Sequence, residues 1–566
     1  MKPPRDPGIH PFEVIAGALL GFALLLALVM ELVAALAGAL FGDGWTWLPL
    51  AEMSAVLAQL PDHLADPRQA WPAEVRDRLP GAPGFYASLV VTVGSVAAGA
   101  TSITLGLLGR HQRAAGTARW ASTADLRSLL VRRTAPGRVT LGRHRSRLVA
   151  AEARQSVIVV APTQTGKTTG LAVPALLEWT GPVVATSVKN DLLRDTVQRR
   201  EQLGEVRVFD PTATTGLARA SWTPLAACSD WQSARRTADR LAKAAQFSAR
   251  TLQEADFWAH AGARFLAPLL LAAARSERTM TDVVRWIDTE EQAEVDDALD
   301  AEEHEPARNA LMTVWTADDR LRSSLYLTAG LALDAYNDPT VAACSASADI
   351  TPSWLLDRPA NALFLCAPAD EQSRLRPLFV TLIREIVAEV YARSARSGGP
   401  IDPALLVVLD EAPNIAPIPD LDQLASTGSG QGLQLVTVVQ DLAQVHARWG
   451  ANADSIVNNH RAKLFGSGLS CAKTLDYVAR VLGDQELRQV SSTSGEAGRR
   501  SRTESRTFRA LAPANVLRES RPGSMLLLYG HLPPARIVLR PWYRSRGLRR
   551  LARADSGPPP NSGRLR

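Results

Sequence analysis

Two long apolar segments begin the chain. The first, "VIAGALLGFALLLALVM" (Val14–Met30), continues past Glu31 through ten further residues, and the second covers Phe85–Gly109. About 20 apolar residues suffice to span a bilayer, and the Gly, Ala, Ser and Thr of the second run allow close helix packing. A buried core helix is the alternative for either run alone, whereas a cleaved signal peptide does not explain the second. The pattern predicts a membrane anchor over residues 1–111, with transmembrane helices about 14–38 and 85–109.

Charges around these segments predict their orientation. The connecting loop, 42–84, carries six acidic and three basic side chains, whereas arginines follow the second segment at 110, 113 and 119. Positive residues favour the cytoplasmic side, so we expect the loop outside and the rest of the chain in the cytoplasm. Trp45, Trp47 and Trp71 suit a membrane interface. The prediction is a multi-pass protein of the inner or plasma membrane.

From about residue 150 the pattern becomes α/β, and a short β-branched strand runs into "APTQTGKTTG" (Ala161–Gly170). This loop matches the phosphate-binding pattern G-x-x-x-x-G-K-[ST] except that Ala161 stands at the first glycine. Alanine suffices there if its φ stays negative. Lys167 would reach the β- and γ-phosphates of ATP, and the Thr168 hydroxyl would ligate Mg²⁺. The predicted nucleotide-binding residues are Thr163, Gln164, Thr165, Gly166, Lys167, Thr168 and Thr169.

A second apolar strand, "ALLVVL", ends in Asp410 and Glu411. An acidic pair at the carboxyl end of a buried parallel strand is the expected second half of a phosphate-loop site. Asp410 would hold Mg²⁺ and Glu411 would polarise the attacking water. A third strand ends in Gln440, which could sense the γ-phosphate or merely begin a helix. Lys167 and Glu411 are therefore predicted to be catalytic, whereas the strand pattern leaves the role of Gln440 undecided.

These motifs stand in an order that resembles a known family. The chain is similar to TraG/TraD-type type IV secretion coupling proteins in the loop "APTQTGKTTGLAVPALL", in "VVLDEAPNIAPIPDLDQLASTGSGQGLQLVTVVQDLAQVHARWG" and in "MLLLYGHLPPARIVLRPWY". The resemblance implies a membrane-anchored, RecA-like ATPase with a mainly parallel central sheet, using ATP and Mg²⁺. It also implies that Gln440 is catalytic, as the sensor of the γ-phosphate. It also implies a homo-hexamer in the lipid bilayer that passes single-stranded DNA with its relaxase to the secretion channel components.

The chain departs from that family at two positions. Ala161 is the first, and the second is Ser429, where many relatives carry an arginine in G-R-x-x-G. That arginine resembles a finger that reaches the neighbouring subunit's site, and serine cannot replace a guanidinium there. Either Arg448 or Arg461 substitutes for it, or turnover is slow. A nucleotide-binding receptor with little turnover therefore remains an alternative.

The domain prediction follows from these segments. An ATPase domain covers 112–229 and 340–543, an inserted all-helical domain covers 230–339, and a basic disordered tail covers 544–566. Seven arginines stand against one aspartate in that tail, which could contact lipid or nucleic acid. The net charge of +6 is weak evidence for nucleic acid, and four widely spaced cysteines favour neither a zinc site nor a disulfide framework.

A second class of motor remains open. An FtsK-like or type VII-like pump would move duplex DNA or proteins with the same ATPase core. The single ATPase module, the long helical insertion and the "LPP-x-R" ending favour the coupling-protein interpretation.

Overall fold

A computed structural model describes residues 11–49, 51–111, 117–246, 255–299, 304–494 and 500–553. The chain divides into two compact units, residues 1–117 and 118–566. The first unit consists of helices and contains both of the predicted transmembrane segments. The second unit contains one large sheet with helices on its faces.

The first unit is a helical hairpin with short helices in its connection: α1 (Pro11–Phe41), α2 (Met53–Gln59), α3 (Ala73–Arg76) and α4 (Ala82–His111). Ala23–Phe41 and Ala82–Gly99 are long and apolar enough to cross a membrane, and α1 packs against α4. Glu31 is buried, and its Oε1 accepts the Leu48 backbone N–H at 2.7 Å, whereas its Oε2 has no hydrogen-bond partner among the described residues. Trp71 is buried and packs edge-on against Phe85, with 5.1 Å between the ring centroids. Its side chain is therefore not exposed, as a residue predicted to contact the membrane interface would be.

Fourteen strands lie in the described part of the second unit: β1 (Leu130–Val131), β2 (Thr140–His144), β3 (Arg147–Ala150), β4 (Val157–Val160), β5 (Val183–Ser187), β6 (Val206–Phe209), β7 (Ala362–Cys366), β8 (Leu405–Leu409), β9 (Leu433–Val439), β10 (Ala462–Gly466), β11 (Asp484–Ser494), β12 (Arg500–Ala510), β13 (Ser524–Tyr529) and β14 (Leu532–Val538).

The main sheet has the order β1-β3-β2-β14-β13-β10-β4-β9-β8-β5-β7-β6. The seven strands from β10 to β6 are parallel, and the five from β13 to β1 continue the sheet antiparallel. β4, β5, β7, β8 and β9 are buried at every residue. Strands covered on both faces read as continuous apolar runs, which is the pattern the sequence shows. β11 and β12 form a separate two-stranded hairpin.

The helices of this unit are α5 (Val173–Glu178), α6 (Asp191–Leu203), α7 (Trp231–Gln246), α8 (Ala255–Arg275), α9 (Met280–Asp288), α10 (Ala293–Asp297), α11 (Glu305–Trp315), α12 (Asp319–Leu333), α13 (Pro339–Ala343), α14 (Pro352–Leu356), α15 (Gln372–Ser397), α16 (Ala412–Ile415), α17 (Leu421–Gln431), α18 (Leu442–Trp449), α19 (Ala453–Asn459), α20 (Ala472–Leu482), α21 (Ala514–Arg518) and α22 (Arg546–Arg553).

Helices α7 to α14 form an insertion between β6 and β7. Within it α8 packs on α7, α11 and α12, and the Phe265 ring meets Tyr326 at 4.5 Å. Phe257–Arg275 of α8 is a third segment apolar enough to span a membrane, but two thirds of it is buried inside the protein. Its hydrophobicity therefore belongs to the core of the insertion.

The predicted disordered tail needs a correction, because residues 546–553 form helix α22. Leu548 is buried against the sheet's core, and the helix packs on α5 and α6. Its arginines alternate with apolar residues at helical spacing, so that one face docks while the other stays charged. Residues 554–566 of the predicted tail lie outside the described residues.

Candidate nucleotide site

The strand order brings three sequence motifs to one edge of the sheet. β9 pairs in parallel with β4 on one side and with β8 on the other. The phosphate loop follows β4, the acidic pair follows β8, and Gln440 follows β9. Carboxyl ends of adjacent parallel strands meet at the same edge, where α/β proteins bind ligands.

The loop after β4 adopts a tight conformation that suits its residues. Gln164 and Gly166 have positive φ angles of 63° and 82°, whereas the φ of Ala161 is not positive. The negative φ that Ala161 requires is therefore present, and its N–H donates to Val439 O at 3.1 Å. The chain then enters one π-helical turn, Thr168–Ala172, which continues into α5. The loop's backbone N–H groups thus lie at a helix N-terminus, where anions bind.

Thr168 and Asp410 connect the two halves of the site. The Thr168 Oγ1 donates to Asp410 Oδ2 at 3.0 Å, and Thr186 Oγ1 donates to the Asp410 backbone oxygen at 3.1 Å. Asp410 is 7% exposed, and burial raises the pKa of its carboxyl to about 6. Its second oxygen, Oδ1, is buried and has no hydrogen-bond partner. A buried carboxylate oxygen without a donor is suited to a cation.

Lys167 lies at the base of the loop and is only 6% exposed. Its Nζ donates to Ala161 O at 3.1 Å. The pKa of this lysine lies below its usual value, chiefly because of burial. The Asp410 and Glu411 carboxylates partly offset this shift, and Lys189 adds to it. Among the described residues, no carboxylate oxygen accepts a hydrogen bond from the Lys167 ammonium. A phosphate oxygen would provide an anionic acceptor.

Glu411 occupies an unusual backbone position. Its φ of 56° and ψ of 46° are left-handed, and its carbonyl oxygen accepts the Asn414 and Ile415 N–H groups at the start of α16. Non-glycine residues in this region cost energy and are concentrated at functional sites. The turn directs the chain so that Glu411 lines the cleft beside Asp410.

The cleft has a volume of about 310 Å³. Six predicted residues line it together with the acidic pair: Thr163, Gln164, Gly166, Lys167, Thr168 and Thr169. Two other predicted residues, Thr165 and Gln440, do not line the cleft. The Thr165 hydroxyl turns back to Pro162 O at 2.8 Å, and Gln440 lies at the tip of β9 with its N–H bonded to Gln444.

The cleft also contains residues that the sequence analysis missed, namely Val188, Lys189, Asp191 and Tyr543. Lys189 is the second residue after the buried strand β5 and one of only six lysines in the chain, which was a detectable signal. Tyr543 gave no signal, because it is 375 residues beyond Thr168 and reaches the cleft only through the fold.

The two arginine-finger candidates lie in different elements of the fold. Ser429 stands in the last turn of α17, which leads into the amino end of β9, and Arg461 directly precedes the amino end of β10. The Arg461 guanidinium lies 5.6 Å from the Tyr529 ring and 3.6 Å from Glu152. Arg448 instead lies near the end of α18, a helix that starts from the carboxyl edge. Arg461 therefore lies at the same edge of the sheet as the end of α17 that carries Ser429.

The donor set fits a magnesium-bound nucleotide. Mg²⁺ prefers hard oxygen ligands, and the Thr168 hydroxyl and the unpaired Asp410 Oδ1 lie side by side. The helix N-terminus and Lys167 suit the phosphates.

Comparison with known proteins gives a consistent answer. Residues 119–554 match the profile of the family described as type IV secretory system conjugative DNA transfer. A conjugal transfer protein TraG of Escherichia coli is 24% identical over 463 residues, covering 72% of this chain and 71% of its own length. Protein VirD4 of Agrobacterium fabrum is 22% identical over 499 residues, covering 85% and 74%.

Solved structures are similar in fold. The unbound conjugative coupling protein TrwB lacking its N-terminal segment aligns with a TM-score of 0.57 and 18% identity, covering 75% of this chain and 92% of its own. TrwB in complex with ADP and Mg²⁺ aligns with a TM-score of 0.56, 18% identity and coverages of 75% and 94%.

Proposed function

Because the chain belongs to the family of type IV secretory system conjugative DNA transfer proteins, we propose that it is the ATP-driven coupling protein of such a system. It is held in the inner membrane by α1 and α4, and it assembles as a homo-hexamer. The ring recruits single-stranded DNA with its relaxase, or a protein, and drives it into the secretion channel.

One observation carries the enzymatic part of the proposal, namely the contact between Thr168 and Asp410. These residues are 242 positions apart, yet their side chains meet at 3.0 Å at the carboxyl edge of the sheet. Neither motif alone distinguishes a nucleotide site from a glycine-poor turn or a helix cap. Their contact, with an unpaired carboxylate oxygen beside it, is the arrangement that a Mg²⁺–nucleotide site requires.

The residues of the cleft have separate tasks in hydrolysis. Lys167 exchanges its bond to Ala161 O for the β- and γ-phosphate oxygens, and its burial strengthens this interaction. Glu411 accepts a hydrogen bond from the attacking water at a carboxylate oxygen and orients it toward the γ-phosphorus. Thr168 and Asp410 would hold Mg²⁺, which when bound would neutralise part of the phosphate charge. Gln440 stands at the tip of β9, at the same edge of the sheet, but it is not among the residues that line the cleft.

The missing finger at Ser429 is replaced by Arg461 of the adjacent subunit in this proposal. Arg461 lies at the same sheet edge as Ser429 and holds its guanidinium at the surface, where it can enter a neighbour's cleft. An arginine in this role is worth about 10³–10⁵ in turnover. Isolated subunits should therefore hydrolyse ATP slowly.

The test is the ATPase activity of the full chain in lipid nanodiscs, with single-stranded DNA, duplex DNA or no nucleic acid. We expect single strands to stimulate turnover more than duplex, because a coupling ring grips the backbone of one strand. Lys167→Ala should abolish activity, and Glu411→Gln should lower kcat while nucleotide binding persists.

Three results would change the proposal. Stronger stimulation by duplex DNA would favour the FtsK-like alternative. ATP binding without turnover under every condition would leave a receptor. Activity that survives Lys167→Ala would place catalysis outside the cleft.

A further inference from the structure

The segment after β14 crosses the helix that follows the phosphate loop. A Cβ placed on Gly170 would lie 2.9 Å from Leu539 Cβ, so glycine permits this close approach. The Arg540 N–H donates to Gly170 O at 3.3 Å, and its guanidinium forms an ion pair with Glu178 in which both side chains are at least nine-tenths buried. The C-terminal segment is therefore fixed to the π-helical turn at Gly170 and to the last residue of α5, Glu178.

The same segment continues toward the cleft and is fixed a second time. Trp542 Nε1 donates to Asp195 Oδ2 of α6 at 3.0 Å, and α22 then packs on α5 and α6. These contacts stand on both sides of Tyr543 and determine where its ring can lie. Tyr543 lines the cleft together with Thr169, the residue after the Mg²⁺-ligand candidate Thr168.

The Tyr543 ring is available to a ligand. It is 47% exposed, and its neighbours are the edge of Trp542 at 6.1 Å and the Arg544 guanidinium at 5.9 Å from the ring. Among the described residues that line the cleft, Tyr543 is the only aromatic one. Apart from Gly166 and Val188, the other lining residues are polar or charged.

We propose that Tyr543 is the stacking platform for the nucleobase of the bound nucleoside triphosphate. This rests on the proposed function and adds the part of the substrate that the phosphate loop does not contact. The base is the only flat, largely apolar portion of the molecule, and an exposed aromatic ring is the side chain that matches it. Because a ring face does not read the hydrogen-bonding edge, this contact accepts a range of bases.

The test compares two ligands on the full chain in nanodiscs. One is a non-hydrolysable ATP analogue with Mg²⁺, and the other is inorganic tripolyphosphate with Mg²⁺, which has no base. For Tyr543→Ala we expect affinity for the ATP analogue to fall on the order of 10-fold, with tripolyphosphate binding unchanged. Tyr543→Phe keeps the ring and should bind both as the parent does. Isothermal titration calorimetry gives the two dissociation constants.

Two further variants control for folding and for general loss of an aromatic ring. Tyr543→Leu retains apolar volume without the π-face and should behave like Tyr543→Ala, with an unchanged melting temperature. Phe508→Ala removes another exposed ring, 63% exposed in the separate hairpin, and should change neither ligand.

Each remaining outcome contradicts the inference in a distinguishable way. An equal loss of both ligands in Tyr543→Ala would mean that the segment only positions the phosphate loop. No loss of either would mean that the base binds elsewhere. A loss in Tyr543→Phe would assign the effect to the hydroxyl. If the parent chain binds neither ligand, both this inference and the proposed nucleotide site are wrong.

Discussion

The methyl group of Ala161 occupies the space that Gly466 leaves open between β4 and β10. A Cβ built on Gly466 would lie 2.6 Å from Ala161 Cβ and 3.3 Å from Met525 Sδ. The loop's unusual alanine is thus accommodated by a glycine on the neighbouring strand. The glycine that the phosphate loop lacks at position 161 is thus matched by Gly466 on the neighbouring strand β10.

This relationship predicts a compensating pair of substitutions. Gly466→Ala should lower the free energy of unfolding by about 1–3 kcal/mol, because two methyl groups cannot share the site. Ala161→Gly in the same chain should restore most of it. Thermal unfolding of both variants checks this, with Gly399→Ala as the control, since a Cβ there meets nothing within 4 Å. Failure of the double variant to recover would show that the two positions are not coupled.

A second prediction concerns the replacement for Ser429. Arg461→Ala should lower turnover of the assembled protein at least about 10-fold without weakening nucleotide affinity, because the finger acts in the neighbour's transition state. Arg448→Ala is the matched control and should retain the parent's rate. Ser429→Arg added to Arg461→Ala should recover part of the activity. If Arg448→Ala carries the loss instead, Arg448 rather than Arg461 is the finger.

Arg200 provides a third prediction, about stability. It is fully buried, and its guanidinium donates to Trp179 O, Gly181 O and Ala360 O at 2.7–2.8 Å. Arg200→Met should cost at least about 3 kcal/mol, because it leaves three buried carbonyl groups without a donor. The neighbouring Arg199→Met should cost much less, since Arg199 bonds only to Gln202 of its own helix. Chemical denaturation of the pair gives the difference, and equal losses would contradict the assignment.

The fourth prediction is a pH dependence that originates at Glu385 of α15. Burial raises the pKa of this carboxyl to about 7, and Trp222 Nε1 donates to it at 3.1 Å while Arg240 favours its charged form. A raised carboxyl pKa means that the fold favours the protonated form. Its contribution to stability is therefore complete below about pH 4.5 and is lost as pH rises through 7.

Glu385→Gln should remove this dependence. At pH 8 the variant should be more stable than the parent by up to about 3 kcal/mol, and at pH 5 the two should be similar. Melting temperatures between pH 5 and 8.5 test this, with the exposed Glu201→Gln as control. A parent–variant difference that stays constant with pH would exclude Glu385 as the source.

Local sequence patterns were informative where one motif supplies both the structure and the chemistry. Lys167 and Thr168 follow a short β-branched strand, and Asp410 follows a second one, so each could be placed at a strand end without coordinates. The same reasoning failed for the tail. The Gly, Pro and Ser content of the tail suggested disorder, but Leu548 at helical spacing gives α22 one face that packs on α5 and α6.

What the sequence by itself determined are the elements whose side-chain pattern reflects a single environment: the apolar anchor helices, the doubly buried strands and the glycine-dependent turn before Lys167. Only the tertiary structure decided which distant residues meet. The Thr168–Asp410 bond, the Ala161–Gly466 fit and the arrival of Tyr543 beside Thr169 all depend on strand order and on where the C-terminal segment docks. Such contacts arise from the packing of surfaces hundreds of residues apart, and no local period in the chain encodes them.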